Sequence, residues 1–537
     1  MFRNHRGSHA LVLFIGLFAT AVPRAAGAAE QRQEVSKTFD QTVKVGPAQN
    51  LRFEHRHGDV RITTHAQDTL RVQGTLRVSA DSRQTAAGFL DAIQIEMTEA
   101  PTGVTVRTRY PDRKFSREDV SYAVDYTVLM PERMPLDLRN SFGNVSLAGL
   151  RADTAIVNAH GTLTVADSGG NSRLGNSFGP IEATRMGGDV TITGANGSVS
   201  ATTIAGALNV TNRFGRVTVS AVRGAALISN SNGQVDLTDA ASATVTNSFG
   251  PIALRDIRKN VTATNGNGAI TAATLGGAVK LVTSFGAVDL KDVTGDLTIE
   301  NSNGAVKVAN VRGGATIKTS FAPLEVATVT GAVTATNSNG GVTLKDIGGA
   351  AEIQSSFGRV EVQGVKAGVR VTTGNSSVRA VDVGGPLFVK TTFGLVVAER
   401  VQGALTVDNS NGGVQATGIA GAAAVKTSFG PVVLRDVDGT IDVRNQNGAI
   451  DASAAPVAKA CHDVTLVTSF SPIQVQIAEG GYDVTARTSF GRIHSDIPVS
   501  STGTFGEGAL SGTIGGGGCA LQLTNSNGDI RIVKAAR

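Results

Sequence analysis

Apolar and polar positions alternate along most of this chain, and a glycine interrupts the alternation at a fixed interval. Around Gly286 the apolar residues Val279, Leu281, Val288 and Leu290 take every second position in two short runs. Val, Ile and Thr at every second position favour half-buried β-strands. Glycine tolerates the positive φ that a tight bend needs. The pattern therefore predicts short strands separated by tight bends.

The glycine corners recur at a constant interval, which is one residue shorter only between Gly233 and Gly250. The corner positions are Gly143, Gly161, Gly179, Gly197, Gly215, Gly233, Gly250, Gly268, Gly286, Gly304, Ala322, Gly340, Gly358, Ser376, Gly394, Gly412, Gly430 and Gly448. A second glycine often lies halfway to the next corner, as Gly277 and Gly295 do. A fixed short period is typical of solenoids, whereas hairpin loops vary in length. We therefore predict an all-β fold, a single-stranded β-helix with about 18 residues and two bends per coil.

The residue before each corner alternates between Phe and Asn, with His160 in the place of the first Asn. The structural corner is defined by Phe142 with Gly143, Phe178 with Gly179, Phe249 with Gly250, Phe285 with Gly286, Asn303 with Gly304, Asn339 with Gly340, Phe357 with Gly358, and Phe429 with Gly430. Because Phe285 continues the alternation of Val279 and Leu281, we expect Phe layers inside the tube. The Asn layers between them would bond the buried corner backbone. The alternative is an exposed Phe row that stacks on sugars or on another chain.

Residues 1–28 have a basic start, an apolar run and a small-residue ending. This is typical of a secretory signal peptide, and the apolar run is too short for a comfortable membrane span. We expect an exported protein that is periplasmic, associated with the cell surface or secreted. No later stretch predicts a transmembrane segment.

The remaining chain divides by the clarity of its repeat. Residues 29–139 predict a small, mostly β N-terminal cap domain with one short helix near Phe89, and residues 140–455 predict the regular solenoid. Residues 456–537 predict irregular C-terminal coils and a cap. Caps are expected because an open solenoid end is an unpaired strand edge.

Composition fits a thin solenoid better than a thick globular core, since the 537 residues are only 4% aromatic and include 65 Gly and no Trp. The calculated pI of 9.2 suggests a basic protein. Three of the 49 Lys and Arg lie in the leader, however, which leaves 46 against 44 acidic residues. Without a concentrated basic stripe, nucleic acid is not an expected partner.

The only two cysteines, Cys461 and Cys519, both lie in the irregular C-terminal part. In an oxidising compartment they could form one disulfide that fixes the C-terminal cap. Two separate thiols are the alternative.

Candidate metal ligands and catalytic residues have simpler explanations. Asp256, Asp292, Asp346, Asp382 and Asp436 share one position after their corners, where Asp usually caps a turn by bonding its own backbone. A catalytic or metal-binding column is the alternative.

Zinc and calcium are the metals that the other polar residues could bind. The cluster of His55, His57 and His65 has no evident fourth ligand for zinc. The repeated Asn residues near the corners offer amide oxygens without carboxylates, so they would bind calcium weakly. We predict no metal and no cofactor.

An enzyme would need clustered acidic or basic residues in a groove, as in β-helices that cleave polysaccharides. Only residues 456–520 break the repeat, and they contain His462, Asp463 and His494. A polysaccharide lyase or hydrolase built on these residues is therefore an alternative, but the prediction is that the protein is not an enzyme.

The exported start, the strand from Glu54 to Val60, the short helix near Phe89 and the Ser-Phe-Gly/Asn-Gly ladder resemble the bacterial putative-adhesin β-strand repeat family, known as a domain of unknown function. The resemblance covers most of the mature chain and implies a right-handed β-helix on an exported protein, with a role in adhesion. It brings no catalytic residue.

We therefore expect a non-catalytic scaffold that binds a surface ligand, a glycan or an envelope protein, by multivalent display. A periplasmic accessory of envelope signalling is a further alternative.

Overall fold

The computed structural model describes residues 32–111, 119–455, 461–477, 480–501, 506 and 508–534. The predicted signal peptide lies outside these ranges. Strands account for 67% of the chain, and the described ranges contain one helix. That helix is too short and too polar to cross a bilayer, and no other candidate span occurs in these ranges.

Each coil of the solenoid consists of two strands, and each strand pairs in parallel with the corresponding strand of the next coil. Val279–Thr283 pairs with Leu297–Asn301, and Val288–Val293 pairs with Val306–Val311. The repetition of this pairing builds two parallel sheets, whose inner faces enclose one narrow core. The predicted β-solenoid with coils of about 18 residues is confirmed. Its right-handed sense stays a prediction.

The N-terminal elements are β1 (Gln33–Lys44), β2 (Asn50–Glu54), β3 (Val60–His65), β4 (Thr69–Ala80), α1 (Arg83–Ala92), β5 (Gln94–Ala100), β6 (Gly103–Arg109) and β7 (Ser121–Pro131). The coils that follow are formed by β8 (Leu136–Phe142), β9 (Val145–Ala148), β10 (Thr154–His160), β11 (Leu163–Ser168), β12 (Ser172–Phe178), β13 (Ile181–Met186), β14 (Val190–Asn196), β15 (Val199–Ile204), β16 (Leu208–Phe214), β17 (Val217–Asn232), β18 (Val235–Phe249), β19 (Ile252–Ile257), β20 (Val261–Asn265), β21 (Ile270–Leu275), β22 (Val279–Thr283), β23 (Val288–Val293), β24 (Leu297–Asn301), β25 (Val306–Val311), β26 (Ala315–Thr319), β27 (Leu324–Val329), β28 (Val333–Asn337), β29 (Val342–Ile347), β30 (Ala351–Phe357), β31 (Val360–Val365), β32 (Val369–Asn375), β33 (Val378–Val383), β34 (Leu387–Phe393), β35 (Val396–Val401), β36 (Leu405–Asn411), β37 (Val414–Ile419), β38 (Ala423–Phe429), β39 (Val432–Val437), β40 (Ile441–Asn445) and β41 (Ile450–Ala454). The C-terminal strands are β42 (Val464–Val467), β43 (Ile473–Ile477), β44 (Tyr482–Arg487), β45 (Ile493–Ser495), β46 (Ala509–Ile514), β47 (Cys519–Thr524) and β48 (Ile530–Lys534).

A ladder of buried amides supports the corners from inside. The members lie shortly before a corner, on the last inward position, and are Asn140, Asn158, Asn176, Asn212, Asn230, Asn247, Asn265, Asn301, Asn337, Asn409, Asn445 and Asn525. Asn301 is representative: its Nδ2 donates to the carbonyls of Gly286 at 3.0 Å and Gly304 at 2.7 Å, and its Oδ1 accepts the Gly304 N–H at 3.2 Å. The predicted bonding of Asn to the corner backbone is therefore observed for this row, which joins successive coils.

The second bend depends on one residue in the left-handed region. Asp256, Asp292, Asp346, Asp382 and Asp436 occupy this position with φ between 55° and 61°. The bend places both Lys291 and Asp292 outside before Val293 turns in again. Two of these carboxylates bond the next coil, since Arg400 donates to Asp382 at 3.0 Å and Asn310 donates to Asp292 at 2.9 Å. This column therefore shapes the bend and joins neighbouring coils.

The N-terminal elements extend the stack and then close it. β2 and β3 form a coil that pairs in parallel with β8 and β9, and β6 and β7 pair on its other side. Antiparallel pairs then follow, β5 on β6 and the series β7, β4, β1. The helix α1 lies against β1 and β4, and Ser82 caps its N-terminus because its hydroxyl accepts the Thr85 N–H at 3.0 Å. The expected domain boundaries at residues 139 and 455 stay predictions.

At the C-terminal end the order of strands in the stack differs from their order in the chain. β47 pairs with β42 on one side and β44 on the other, and β48 pairs likewise with β43 and β45. The last coil of the chain, residues 519–534, is thus inserted between the coils of residues 464–477 and 482–495. β46 covers β44 in antiparallel pairing.

A disulfide joins Cys461, just before β42, to Cys519, at the start of the inserted β47. The Asp463 carboxylate also accepts the Ala520 N–H at 2.8 Å. Both contacts link the inserted coil to the coil beside it.

Replacing Asn301 with Ala should cost about 1–3 kcal/mol of unfolding free energy, because it leaves buried backbone groups unpaired. Replacing Asn303 with Ala should change the unfolding free energy by about 0.5 kcal/mol or less, because the Asn303 side chain is exposed on the outer surface of the solenoid. Guanidinium unfolding of both variants measures the difference. Equal losses would contradict the placement of Asn301 inside and Asn303 outside.

Replacing Cys461 and Cys519 with Ser should destabilise the C-terminal coils by about 2–4 kcal/mol, because a long loop is no longer closed. Hydrogen exchange should rise in peptides from residues 464–534 and stay unchanged around residues 279–311, since solenoid stability is a sum of local terms. Unchanged exchange in the inserted coil would show that the disulfide does not hold it.

Candidate binding ridge

The corner directs two consecutive residues outward, and the second of them is the Phe of the repeat. The nine Phe before the corners from Phe142 to Phe429 are between 46% and 64% exposed, whereas Thr283 is only 3% exposed. The prediction of inward Phe layers is therefore wrong. This correction applies to every Phe of the predicted structural corner, which are all exposed: Phe142, Phe178, Phe249, Phe285, Phe357 and Phe429. The alternative, an exposed Phe row, is the arrangement in the structure.

The physical reason is that the strand alternation ends before the bend. Thr283 is the last inward residue, and the chain then turns over Ser284 and Phe285. The inside of the corner has no space for a side chain, since a Cβ on Gly286 would lie 1.8 Å from the carbonyl oxygen of Gly268. Phe285 shares the parity of Leu281 along the sequence, but it is on the opposite side of the wall.

We call the outward residues that directly precede the corners the ridge. In stacking order the ridge is His57, Phe142, His160, Phe178, Asn196, Phe214, Asn232, Phe249, Asn267, Phe285, Asn303, Phe321, Asn339, Phe357, Asn375, Phe393, Asn411, Phe429, Asn447, Phe470, Asn527 and Phe490. Phenylalanines are thus two coils, or about 9–10 Å, apart along a stack with the usual strand spacing. An amide or imidazole fills each interval.

The inserted C-terminal coil keeps this alternation. Along the chain Phe470 is followed by Phe490 and then by Asn527, which would place two Phe layers in contact. In the stack the Asn527 N–H donates to Ser469 O at 2.8 Å, and the Phe490 N–H donates to Ser526 O at 2.9 Å. Asn527 therefore separates the two phenylalanines, and the ridge continues to the end of the solenoid.

The Asn members of the ridge are exposed or half-buried, unlike the buried Asn row behind them. Asn303 and Asn339 are both on the surface, so the Asn row immediately before the corner is not a core layer. The Asn303 Nδ2 donates to the backbone carbonyl of Ser284 in the preceding coil at 3.1 Å. This bond fixes the amide between two phenylalanines.

At its N-terminal end the ridge becomes a continuous aromatic stack. Successive ring centroids of His57, Phe142, His160 and Phe178 are 5.1, 4.6 and 4.7 Å apart, and the rings are parallel within 4°. Tyr110 contacts the His57 ring edge to face, as Tyr122 also does. The stacked rings cover each other's faces, so this part of the ridge presents ring edges to solvent.

The residues of the predicted histidine cluster are divided between the interior and the outer surface of the solenoid. His55 is buried, its Nδ1 lies 3.1 Å from the Thr108 hydroxyl, and burial lowers its pKa to about 4. Burial, and then the charge of Arg56, also lower the pKa of the outward His57. His65 accepts the Gln67 N–H at 2.9 Å. Among the described residues, no group of three or more His, Cys, Asp or Glu is placed to hold a metal ion.

The residues considered for catalysis do not converge on one another. His462 lies 3.6 Å from Asp438, and Asp463 bonds the inserted strand β47. His494 pairs with Asp496 at 2.7 Å on β45 and its following turn. Each of the three therefore has a separate local partner.

The fold and the ridge together define a class of protein, a β-solenoid repeat protein with a regular exposed surface. The family comparison agrees with this class. Residues 291–533 match the family described as Toastrack DUF4097, so this part of the chain is similar to a β-repeat family of unknown function.

No curated protein matches the chain in sequence. A solved structure described as a "putative cell adhesion protein" from Clostridium sporogenes is similar at 8% identity over 52% of this chain and 100% of that chain, with a TM-score of 0.14. At that score the likeness carries no argument about function.

Replacing Phe285 with Ala should change the unfolding free energy by about 1 kcal/mol or less, because about half of the ring is already in water. Replacing the buried Leu281 with Ala should cost about 2–5 kcal/mol. Chemical denaturation of the two variants in parallel checks the contrast. A loss for Phe285 as large as that for Leu281 would mean that the Phe row is part of the core.

Proposed function

We propose that this protein is a non-catalytic, exported binding scaffold at the cell envelope, and that the ridge is its contact surface for an extended partner. The observation that carries the proposal is the exposure of the whole Phe row. A monomer rarely leaves a long, regular row of aromatic rings in water, and exposed apolar groups clustered along one surface are typical of interaction sites. The partner we favour is a glycan chain, and an envelope protein is the alternative.

The regular spacing of the ridge suits a partner that also repeats. Each coil pair offers one Phe and one Asn, so it supplies an apolar contact and an amide. Contacts of this size are individually weak, but many of them on one rigid support sum to useful avidity. The backbone of the solenoid is already paired from coil to coil, so the rod loses little conformational entropy when it binds.

A scaffold role also fits the distribution of charge on the solenoid. Ion pairs join residues one coil apart on the outer faces, as Arg185 does with Asp167 and Arg400 with Asp382. These pairs follow the repeat and do not converge in a groove that would hold a reacting bond. We therefore propose binding without turnover, as opposed to the polysaccharide lyase or hydrolase alternative.

The test is binding of the purified protein to a glycan array and to immobilised bacterial envelope fragments. The triple change Phe285→Ser, Phe321→Ser and Phe357→Ser should weaken binding by at least about tenfold, because it removes three consecutive apolar contacts. The reaction mixtures should contain no newly released oligosaccharide.

The matched control changes three exposed residues in register on the opposite sheet, Asp289→Ser, Lys307→Ser and Glu325→Ser. This control should bind as the unchanged protein does. Equal binding by the ridge variant would contradict the proposed contact surface. Release of oligosaccharide would favour an enzyme, and capture of one envelope protein without glycan would favour an accessory of envelope signalling.

A further inference from the structure

A second surface feature lies beside the N-terminal end of the ridge. Strand β6 carries Arg107 and Arg109, strand β8 carries Arg139, and Arg56 follows the end of strand β2, which lies between them. These side chains line a groove of about 550 Å³, which Tyr110 and Ser141 border on the side of the ridge. We call it the arginine groove.

The charge of the arginine groove is only partly neutralised. Arg107 donates to Glu54 at 2.6 Å, and Arg109 pairs with Glu96 at 2.6 Å. The carboxylate nearest to Arg139 is 4.0 Å away, on Asp137. Within the described ranges, none of the ion pairs includes Arg56. The guanidinium groups of Arg56 and Arg139 are thus available to an anion, and a guanidinium holds a carboxylate through two parallel hydrogen bonds.

The positive charge in the groove comes from arginine alone. His55 also lines the groove, but its burial lowers its pKa to about 4, and its Nε2 has no hydrogen-bond partner. Arg56 directly precedes the ridge residue His57 and lines the groove together with Tyr110. Arg56 is therefore next to the aromatic stack and can act on the same ligand.

A shallow track continues from the groove along the side of the ridge. The column that starts at Arg139 runs through Val157, which is 55% exposed, and Gly175, which has no side chain. It then passes a row of exposed hydroxyls in register: Thr193, Thr211, Ser229, Thr246 and Thr264. The track therefore offers a cationic end, a small apolar floor and a line of hydroxyls.

These groups fit a glycan better than an acidic polypeptide. A bound peptide strand takes its affinity from backbone hydrogen bonds to a free sheet edge. Along this face the strands are paired with both neighbours, so only side chains are available. A glycan supplies hydroxyls to side-chain donors and acceptors and does not need an edge.

We propose that the arginine groove binds the carboxylate of a hexuronic acid residue in a linear acidic glycan, whose chain continues along the track beside the ridge. This inference rests on the proposed function and names the chemical class of the ligand. Arg56 and Arg139 hold the carboxylate, and the hydroxyl row holds the sugars that follow.

The experiment is calorimetric titration of the purified protein with oligogalacturonate, with a neutral cello-oligosaccharide of equal length and with polyglutamate. Oligogalacturonate should bind most tightly, and its affinity should fall as salt rises, because paired charges are screened. Arg56→Gln and Arg139→Gln should each weaken binding by at least about tenfold, since each removes charge-assisted hydrogen bonds.

The matched control is Arg370→Gln, because Arg370 lies over the Phe388 ring at 4.3 Å, away from the groove. It should leave the affinity unchanged. The inference is overturned if oligogalacturonate does not bind, if the neutral sugar or polyglutamate binds equally well, or if both groove variants bind normally.

The ridge variant in the same titration separates this inference from the proposed function. Loss of binding in the ridge variant, with normal binding in the groove variants, would support the ridge as the contact surface and contradict the groove as the binding site. Loss in the groove variants alone would assign binding to the groove and contradict the ridge as the main contact surface.

Discussion

The close approach of backbone to backbone at the stacked corners is the constraint on which the rest of this structure depends. Each corner residue lies directly on the carbonyl of the corner one coil earlier, and an added Cβ at Gly304 would be 2.0 Å from Gly286 O. Such contact demands glycine at nearly every corner and keeps the coil length almost constant along the solenoid. A corner that has no room inside must place its neighbouring side chains outside, and the ridge is the result.

The period of the fold could be predicted from the sequence because it is a local and repeated signal. Alternation of Val, Leu and Ile identified the strands, and the interval between glycines identified the coil. The direction of Phe285 could not be found by the same means, because alternation assumes a straight strand and the corner breaks it. A signal was nevertheless present. The column that contains Phe285 also contains Asn303 and His160, and a core one side chain thick would rarely alternate such residues.

The insertion of the last coil was also beyond the sequence pattern. Strand order in the stack is a non-local property, and the irregular spacing after Gly448 shows only that the repeat is disturbed. One indication was available in the order of Phe470, Phe490 and Asn527, which breaks the alternation along the chain. The stack restores the alternation by placing Asn527 between the two phenylalanines. Phe residues are therefore separated in the order in which the coils stack, even where the order along the chain would bring two of them together.

The interior of the solenoid provides its stability, and the outer surface is the part that we propose for binding. The inward Val, Leu and Ile and the buried Asn301 row hold the coils together, while the ridge contributes little to the core. Because the interior carries the stability, the ridge can be altered without unfolding the rod. The N-terminal end adds charge to this surface, where Arg56 and Arg139 lie beside the aromatic stack.

The central claim is that the residue before each corner faces solvent, and thiol reactivity tests it most directly. Both native cysteines are joined in a disulfide, so a single introduced cysteine would be the one free thiol. With Phe285→Cys the thiol should react with a small maleimide as fast as a thiol in an unfolded chain, whereas with Thr283→Cys it should be protected in the folded protein. Protection of Phe285→Cys together with rapid reaction of Thr283→Cys would contradict the account, because the Phe row would then lie inside the solenoid.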